Sequence, residues 1–161
     1  MRMDLVLEIM DVPGQLVSIL TPIGDLGANI VTVTHRRENK NEKGMIPVQL
    51  TLEGEKDNLN AVVSKFNEMD ITVLEQDGIV NKERFTAILY GHMIDSDVRD
   101  TVDRINSVEG LLVADLQIKL DGEDESTSLI SVEFDSGLRD LAYSKFMEIA
   151  NEKNFLVIDE V

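Results

Sequence analysis

Apolar and polar residues alternate at the start of the chain and then change to a helical period. Residues 4–10, DLVLEIM, place their leucines and Ile9 on one face, which is the two-residue period of a strand. A stripe with the i, i+3, i+4, i+7 spacing of a one-faced helix follows, formed by Leu16, Ile19, Leu20 and Ile23. Gly27 is placed to take the left-handed conformation that ends such a helix. The pattern predicts a strand that leads directly into an amphipathic helix.

Two further strands are predicted after this helix. The stretch NIVTVTHRR at residues 29–37 is rich in β-branched residues, and MIPVQLTLEG at residues 45–54 alternates again. A polar turn, ENKNEKG, separates them. Pro47 cannot donate a hydrogen bond to a neighbouring strand, so we expect the second of these strands to have an edge or a bulge there.

A second helix and a closing strand complete the first half. The helical stripe is formed by Leu59, Val62, Val63 and Phe66. We expect Asp57 or Asn58 to cap this helix, because short polar side chains bond the free amides of a first turn. DITVLEQ at residues 70–76 predicts the last strand. The element order of the half is therefore βαββαβ.

The second half of the chain repeats this order. Strands are predicted from RFTAILYG, GLLVADLQIKL, SLISVEFD and NFLVIDEV, and the two helical faces are Val98, Val102, Ile105, Val108 and Leu138, Leu141, Ala142, Phe146. A shared order at half the chain length indicates an internal duplication. We predict an α+β fold of two ferredoxin-like βαββαβ units, each an antiparallel four-stranded sheet with two helices on one face. The boundaries are residues 1–78 and 84–161, joined by GIVNKE.

The charge and composition exclude several classes of protein. The formal net charge is −16, which repels phosphate backbones and anionic membrane surfaces, so we expect neither a nucleic-acid nor a membrane partner. There is no cysteine, which rules out disulfides and thiolate chemistry. No apolar run is long enough to span a bilayer, and Asp4 and Glu8 interrupt any signal-peptide pattern. We expect a cytoplasmic protein.

No familiar catalytic or metal motif is present, so we predict no catalytic residue, no metal and no cofactor. The sequence has no Gly-rich phosphate-binding loop, no HExxH zinc-binding motif and no G-x-S-x-G nucleophile elbow. His35 with Arg36 and Arg37 is interpreted as a solvated strand end, although an acidic partner chain could meet it. His92 is interpreted as a surface or capping histidine. DGEDE at residues 121–125 lacks calcium-loop spacing and is interpreted as a hairpin tip.

The junction DVPG between the first strand and the first helix is the best candidate for binding. Gly14 has no Cβ and lets another molecule approach the backbone. The free amides of the helix's first turn favour a carboxylate, and Asp11 could receive an ammonium group. The next strand starts with Asn29, whose amide can donate and accept. Whether that edge faces the same gap depends on how two units pair.

A purely structural interpretation of the same residues stays open. Asp11 could only cap the helix, Gly14 could only turn the chain, and Asn29 could only start a strand. A lone turn motif does not decide between these interpretations.

The stretch LEIMDVPGQLVSILTPIGDLGANIVTV, residues 7–33, resembles the ACT domain family. Two separate pieces match at suitable spacing: the loop Asp-Val-Pro-Gly-Gln-Leu and the strand opening Gly-Ala-Asn-Ile. The resemblance implies a regulatory module that binds an amino acid where two such units meet. It places the ligand against Asp11, Val12, Pro13, Gly14, Gln15, Leu16, Asn29 and Ile30.

The second half departs from this motif. Its corresponding turn is GHMIDSDVRD, without Pro-Gly, and EGLL replaces GANI, without Asn. It resembles the family in element order only, so we expect a structural partner with a missing or altered site.

The resemblance therefore implies a non-catalytic protein that binds a free amino acid and modulates a biosynthetic enzyme. That enzyme would lie on a separate chain, with homoserine dehydrogenase and acetolactate synthase as candidates, and the protein would be a homo-oligomer. One alternative is an interaction or assembly module without a small ligand. The other is a small acylphosphatase-like enzyme, which is disfavoured because that chemistry needs an arginine in the first loop, and this loop has Asp11.

Overall fold

The chain forms two compact units, Met1–Asn81 and Lys82–Val161. The computed structural model describes residues 1–92, 95–120 and 125–159, and for residues 95–97 it describes the backbone only. Among these residues, no helix is long and apolar enough to cross a membrane.

The first unit is an antiparallel sheet with two helices packed on one face. Its elements are β1 (Arg2–Met10), α1 (Gln15–Asp25), β2 (Asn29–His35), β3 (Met45–Glu53), α2 (Lys56–Glu68), β4 (Thr72–Gln76) and β5 (Ile79–Val80). The strand order is β2-β3-β1-β4-β5. The βαββαβ order is the predicted one, and β5 extends the sheet beyond the four strands expected.

Strand β5 was missed because it lies in the stretch predicted to be a linker. Asp77 and Gly78 both have positive φ, 52° and 79°, which is the backbone of a tight hairpin turn. This turn folds Ile79 and Val80 back against Gln76 and Glu75.

The core of the first unit follows from the predicted periodicities. In β1 and β3 every second side chain is buried, so one face of each strand carries the apolar residues. Ile19 and Ile23 of α1 join Leu59, Val62 and Phe66 of α2 in the same buried cluster. Because one cluster contains both helices and the strands, both helices cover the same face of the sheet.

Two local predictions have different outcomes. Pairing of β2 with β3 ends at Val48, so Pro47 has a partner only in β1, and the predicted local edge is confirmed. The predicted cap of α2 is wrong, because the helix begins at Lys56 and no side chain caps it. Asn58 instead donates a hydrogen bond from its side-chain amide to the carbonyl of Gly27, at 3.3 Å.

The second unit has the same topology without the extra strand. Its elements are β6 (Lys82–Gly91), α3 (Asp95–Asn106), β7 (Leu111–Leu120), β8 (Ser126–Asp135), α4 (Arg139–Glu152) and β9 (Leu156–Asp159), and the strand order is β7-β8-β6-β9. Residues 121–124 of the predicted hairpin tip lie outside the described residues.

One apolar residue of the predicted α4 face is not in the core. Leu141 is 48% exposed, whereas Ala142 and Phe146 are buried with Ile149 and Ala150. The buried stripe therefore starts at Ala142 and continues with i+4, i+7 and i+8, which rotates it away from Leu141.

The end of α1 has the backbone pattern predicted for Gly27. Gly27 has φ 79°, its amide donates to the carbonyl of Gly24 at 3.0 Å, and the amide of Ala28 donates to the carbonyl of Ile23 at 3.0 Å. These two bonds define a Schellman motif. These bonds turn the chain directly into β2 and fix the position of its first residue, Asn29.

We predict opposite effects for two glycine-to-alanine substitutions in this turn. Gly27→Ala should destabilise the first unit by about 1–2 kcal/mol, because an L-residue is strained at this φ. Its new Cβ would also lie 2.8 Å from the Asn58 side chain. Gly24→Ala should stabilise by roughly 0.5–1 kcal/mol, because Gly24 is helical and its Cβ would meet nothing. Urea denaturation of the full chain measures both, and equal effects would contradict the assignment.

Candidate functional site

The predicted junction lies where β1 ends and α1 begins. Gly14 is the residue before the helix and has φ 85° and ψ −15°, so a residue without a Cβ suits this position. The amide of Gln15 donates to the carbonyl of Val12 at 3.3 Å, which closes the turn. A Cβ added at Gly14 would have no atom within 4 Å, so the space beside this residue is open.

The start of α1 is not neutralised by its own side chains. No side chain makes a capping hydrogen bond there, and the first turn contains no acidic residue. The first-turn amides and the helix dipole therefore present partial positive charge. Because the space beside Gly14 is open, a carboxylate could bind these first-turn amides.

The Asp11 carboxylate is already occupied by cations of its own chain. Arg37 approaches it with two nitrogens, Nε at 3.1 Å from Oδ1 and Nη2 at 3.2 Å from Oδ2. The Nζ of Lys40 lies 3.4 Å from Oδ2. The Asp11 side chain is only 13% exposed, while that of Arg37 is 70% exposed. The surface that a ligand meets at Asp11 is therefore cationic.

Arg37 is solvent-exposed after the end of β2, as predicted, and the ion pair with Asp11 is a contact that the sequence analysis did not include. The residues are 26 positions apart, and only the sheet brings them together. The amide of Asp11 donates to the carbonyl of Gly44 at 3.1 Å, which fixes the junction beside the connection from β2 to β3. The excess of basic residues in that connection, in an acidic chain, was the available signal.

The cations also change the acidity of Asp11. The hydrogen bond from Arg37 is the main reason that the pKa of the Asp11 carboxyl is below its ordinary value, and the bond from Lys40 lowers it further. Partial desolvation opposes both effects. The Asp11 carboxylate therefore stays ionised to a lower pH than a free aspartate side chain would.

The structure does not bring all the predicted site residues together within one unit. Asn29 pairs with Glu53, and Glu53 pairs with Arg2 at the beginning of β1. The junction follows Met10 at the other end of that strand. Eight residue steps of strand separate the two ends, about 26 Å.

The predicted residues differ in exposure. Val12, Pro13, Gly14, Asn29 and Ile30 are exposed, whereas Asp11, Gln15 and Leu16 are half-buried. Leu16 packs against the core from the first turn of α1. It therefore anchors the helix start, and the exposed groups border the open space.

The corresponding turn of the second unit provides fewer described groups that could bind a ligand. His92 is exposed, and Met93 and Ile94 of that turn lie outside the described residues. Throughout the described ranges, no group of three or more His, Asp or Glu residues is arranged to hold a metal ion. Glu125, at the end of the predicted hairpin tip, accepts a hydrogen bond from the Tyr90 hydroxyl.

Comparison with known proteins gives one family match. A family model described as the ACT domain matches residues 83–159. This match falls on the second unit, for which the sequence predicted likeness in element order only, so that prediction was too narrow. No curated protein matches the chain.

Several solved structures have a similar backbone fold but low sequence identity to this chain. An unknown protein from Galdieria sulphuraria is 11% identical, with a TM-score of 0.41 over 99% of this chain and 98% of that chain. The acetolactate synthase small subunit from Thermotoga maritima is 10% identical, with a TM-score of 0.40 over 100% and 98%. The ligand-free regulatory subunit of aspartate kinase from Thermus thermophilus is 12% identical, with a TM-score of 0.36 over 92% and 92%.

We predict that Arg37→Gln raises the pKa of Asp11 more than Lys40→Gln does, because Arg37 supplies the main stabilisation of the carboxylate. Carbon-detected NMR titration of the Asp11 carboxyl measures both changes. An unchanged pKa in Arg37→Gln would contradict the ion pair.

The same pair predicts how stability depends on pH. Because the folded-state pKa is lowered, Asp11 adds to stability above its unfolded pKa of about 4, and this contribution is lost as the pH falls through the folded value. Asp11→Asn should therefore be less stable than the parent chain at pH 7, and the difference should shrink at pH 3. Urea denaturation at the two pH values tests this, and a difference that persists at pH 3 would show another cause.

Proposed function

Because residues 83–159 of the chain belong to the ACT domain family, we propose that this is a non-catalytic regulatory protein. It binds a free amino acid at an interface between two ACT-like units and modulates a separate enzyme of amino-acid biosynthesis. Homoserine dehydrogenase and acetolactate synthase are the candidates for that enzyme.

The observation that carries this proposal is the uncapped start of α1 beside the open space at Gly14. The ligand carboxylate binds the first-turn amides, where the helix dipole stabilises it. The loop has the Asp-x-Pro-Gly-x-Leu pattern that resembles the family's ligand loop. Geometry and pattern therefore support the same position for the ligand.

The second half of the site comes from another copy of the chain. Strand β2 is the outer strand of its sheet, and Ile30 and Val31 on it are 40% and 44% exposed. When two such edges pair antiparallel about a two-fold axis, the Asn29 end of one strand lies beside the His35 end of the other. That end is nearer the junction, because His35 pairs with Val48. Asn29 of one copy is then brought toward Gly14 of the other.

Regulation follows from this division of the site. A ligand that contacts both copies binds the paired arrangement more tightly than the separate one, so it shifts the population toward the pair. The enzyme responds to the surface that the pair presents, and the coupling is reciprocal: bound enzyme changes the ligand affinity by the same factor.

An assembly module without a small ligand is the second candidate. The observation that favours it is the same exposed β2 edge, because the unpaired edge of an outer strand is a template for association whether or not a ligand is present. The two functions differ in whether any amino acid stabilises the fold.

We predict that at least one of the twenty amino acids raises the melting temperature of the full chain at millimolar concentration. A ligand at a hundred times its Kd stabilises the folded state by about 2.7 kcal/mol. Differential scanning fluorimetry measures the shift. If no amino acid produces one, the result contradicts the proposed function and favours the assembly module.

We predict that Gly14→Asn abolishes this shift, because its side chain occupies the open space while Asn tolerates positive φ better than other L-residues. A β-branched residue would be strained at φ 85° and would confuse loss of binding with loss of folding. Gly78→Asn is the matched control, since Gly78 also has positive φ and open surroundings. A normal response from Gly14→Asn would place the site elsewhere.

We predict that two inactive variants restore binding when mixed. Gly14→Asn and Asn29→Ala should each fail to bind as homo-oligomers. After co-refolding, a mixed pair has one site with both native residues, so isothermal titration should recover binding in part of the sites. No recovery, although mass spectrometry shows that mixed pairs have formed, would contradict a site shared between copies.

A further inference from the structure

We propose that Arg37 and Lys40 make this site selective for an amino acid with a second carboxylate, an acidic one. This inference rests on the proposed function and names the ligand class for that same site. It is carried by the ion pairs around Asp11, which the sequence alone did not suggest.

The three charged side chains at the junction have a net charge of one positive unit. Arg37 and Lys40 contribute two positive charges, and Asp11 contributes one negative charge. Asp11 therefore has no uncompensated charge to offer a ligand ammonium group. One positive charge remains at Asp11, which precedes Gly14 by three residues, and it can bind an additional anionic group on the ligand.

The exposure of the three side chains puts the cations outermost. The side chain of Asp11 is 13% exposed, whereas those of Arg37 and Lys40 are 70% and 49% exposed. A ligand that reaches this corner contacts the guanidinium and the ammonium before it contacts the carboxylate.

Both cations keep hydrogen-bonding capacity after binding Asp11. The guanidinium has five N–H donors, and Arg37 directs only Nε and Nη2 at Asp11. The ammonium of Lys40 has three donors and contacts a single oxygen of Asp11. A second carboxylate can therefore bind without displacing Asp11, and its bonds are charge-assisted.

The remaining charges of the chain do not oppose such a ligand strongly. Although the net charge is −16, the field of distant carboxylates is screened beyond about 8–10 Å at physiological salt. The nearby connection from β2 to β3 contains Arg36 and Lys43 as well as Glu38 and Glu42, which balance each other. The net charge near the junction is therefore set by Asp11, Arg37 and Lys40.

The test compares amino acids that differ only in this charge. Aspartate with asparagine and glutamate with glutamine are isosteric pairs, so titration calorimetry on the full chain isolates the second carboxylate. We expect at least one acid to bind tenfold or more tightly than its amide. In Arg37→Gln this ratio should fall toward one, whereas Arg36→Gln, the same change at the neighbouring residue, should keep it.

The outcomes separate the two proposals. If neutral amino acids bind and the acidic ones do not, the selectivity is overturned and the regulatory function stands. If Arg36→Gln and Arg37→Gln reduce the ratio equally, general charge acts and the assignment to Arg37 is overturned. If no amino acid binds, the proposed function fails, and the selectivity fails with it.

Discussion

The antiparallel pairing of β1 with β3 is the constraint on which the site depends. It runs from Arg2 with Glu53 to Met10 with Met45, and this register places the junction at one end of the sheet and the start of β2 at the other. A shift of one residue would turn the buried leucines of β1 to the solvent face. The burial of the core therefore fixes the position of the functional residues. The same register brings the β2–β3 connection to the junction, so Arg37 can reach Asp11.

Much of the fold could be predicted because local patterns specify it. The alternation in β1 and the helical stripes of α1 and α2 need no knowledge of distant residues, and each is found where it was expected. The end of α1 at Gly27 was predictable for the same reason, since positive φ limits the residue type. The predicted cap of α2 failed because the helix begins before it, at Lys56. Two further predictions failed where the local pattern is weak or ambiguous. Strand β5 has only two residues, and Leu141 fits a helical stripe that packing rotates away from it.

The candidate site was only partly predictable. The junction itself could be found from a short sequence, because Pro-Gly between a strand and a helix is a local feature. The partner of Asp11 could not be found in this way, since Arg37 lies 26 residues away and only the sheet brings it there. The distance between Asn29 and the junction likewise depends on strand register, which the linear spacing does not show. The site is therefore a local loop whose charge and completeness are set by long-range structure.

The central claim is that the start of α1 receives a ligand carboxylate. Amide NMR of the full chain, titrated with the amino acid that stabilises it most, tests this directly. The account predicts that the amide resonances of Gly14, Leu16 and Val17 move together with the side-chain amide of Asn29, at one common Kd. Saturable shifts elsewhere in the chain, with these four resonances unchanged, would contradict it.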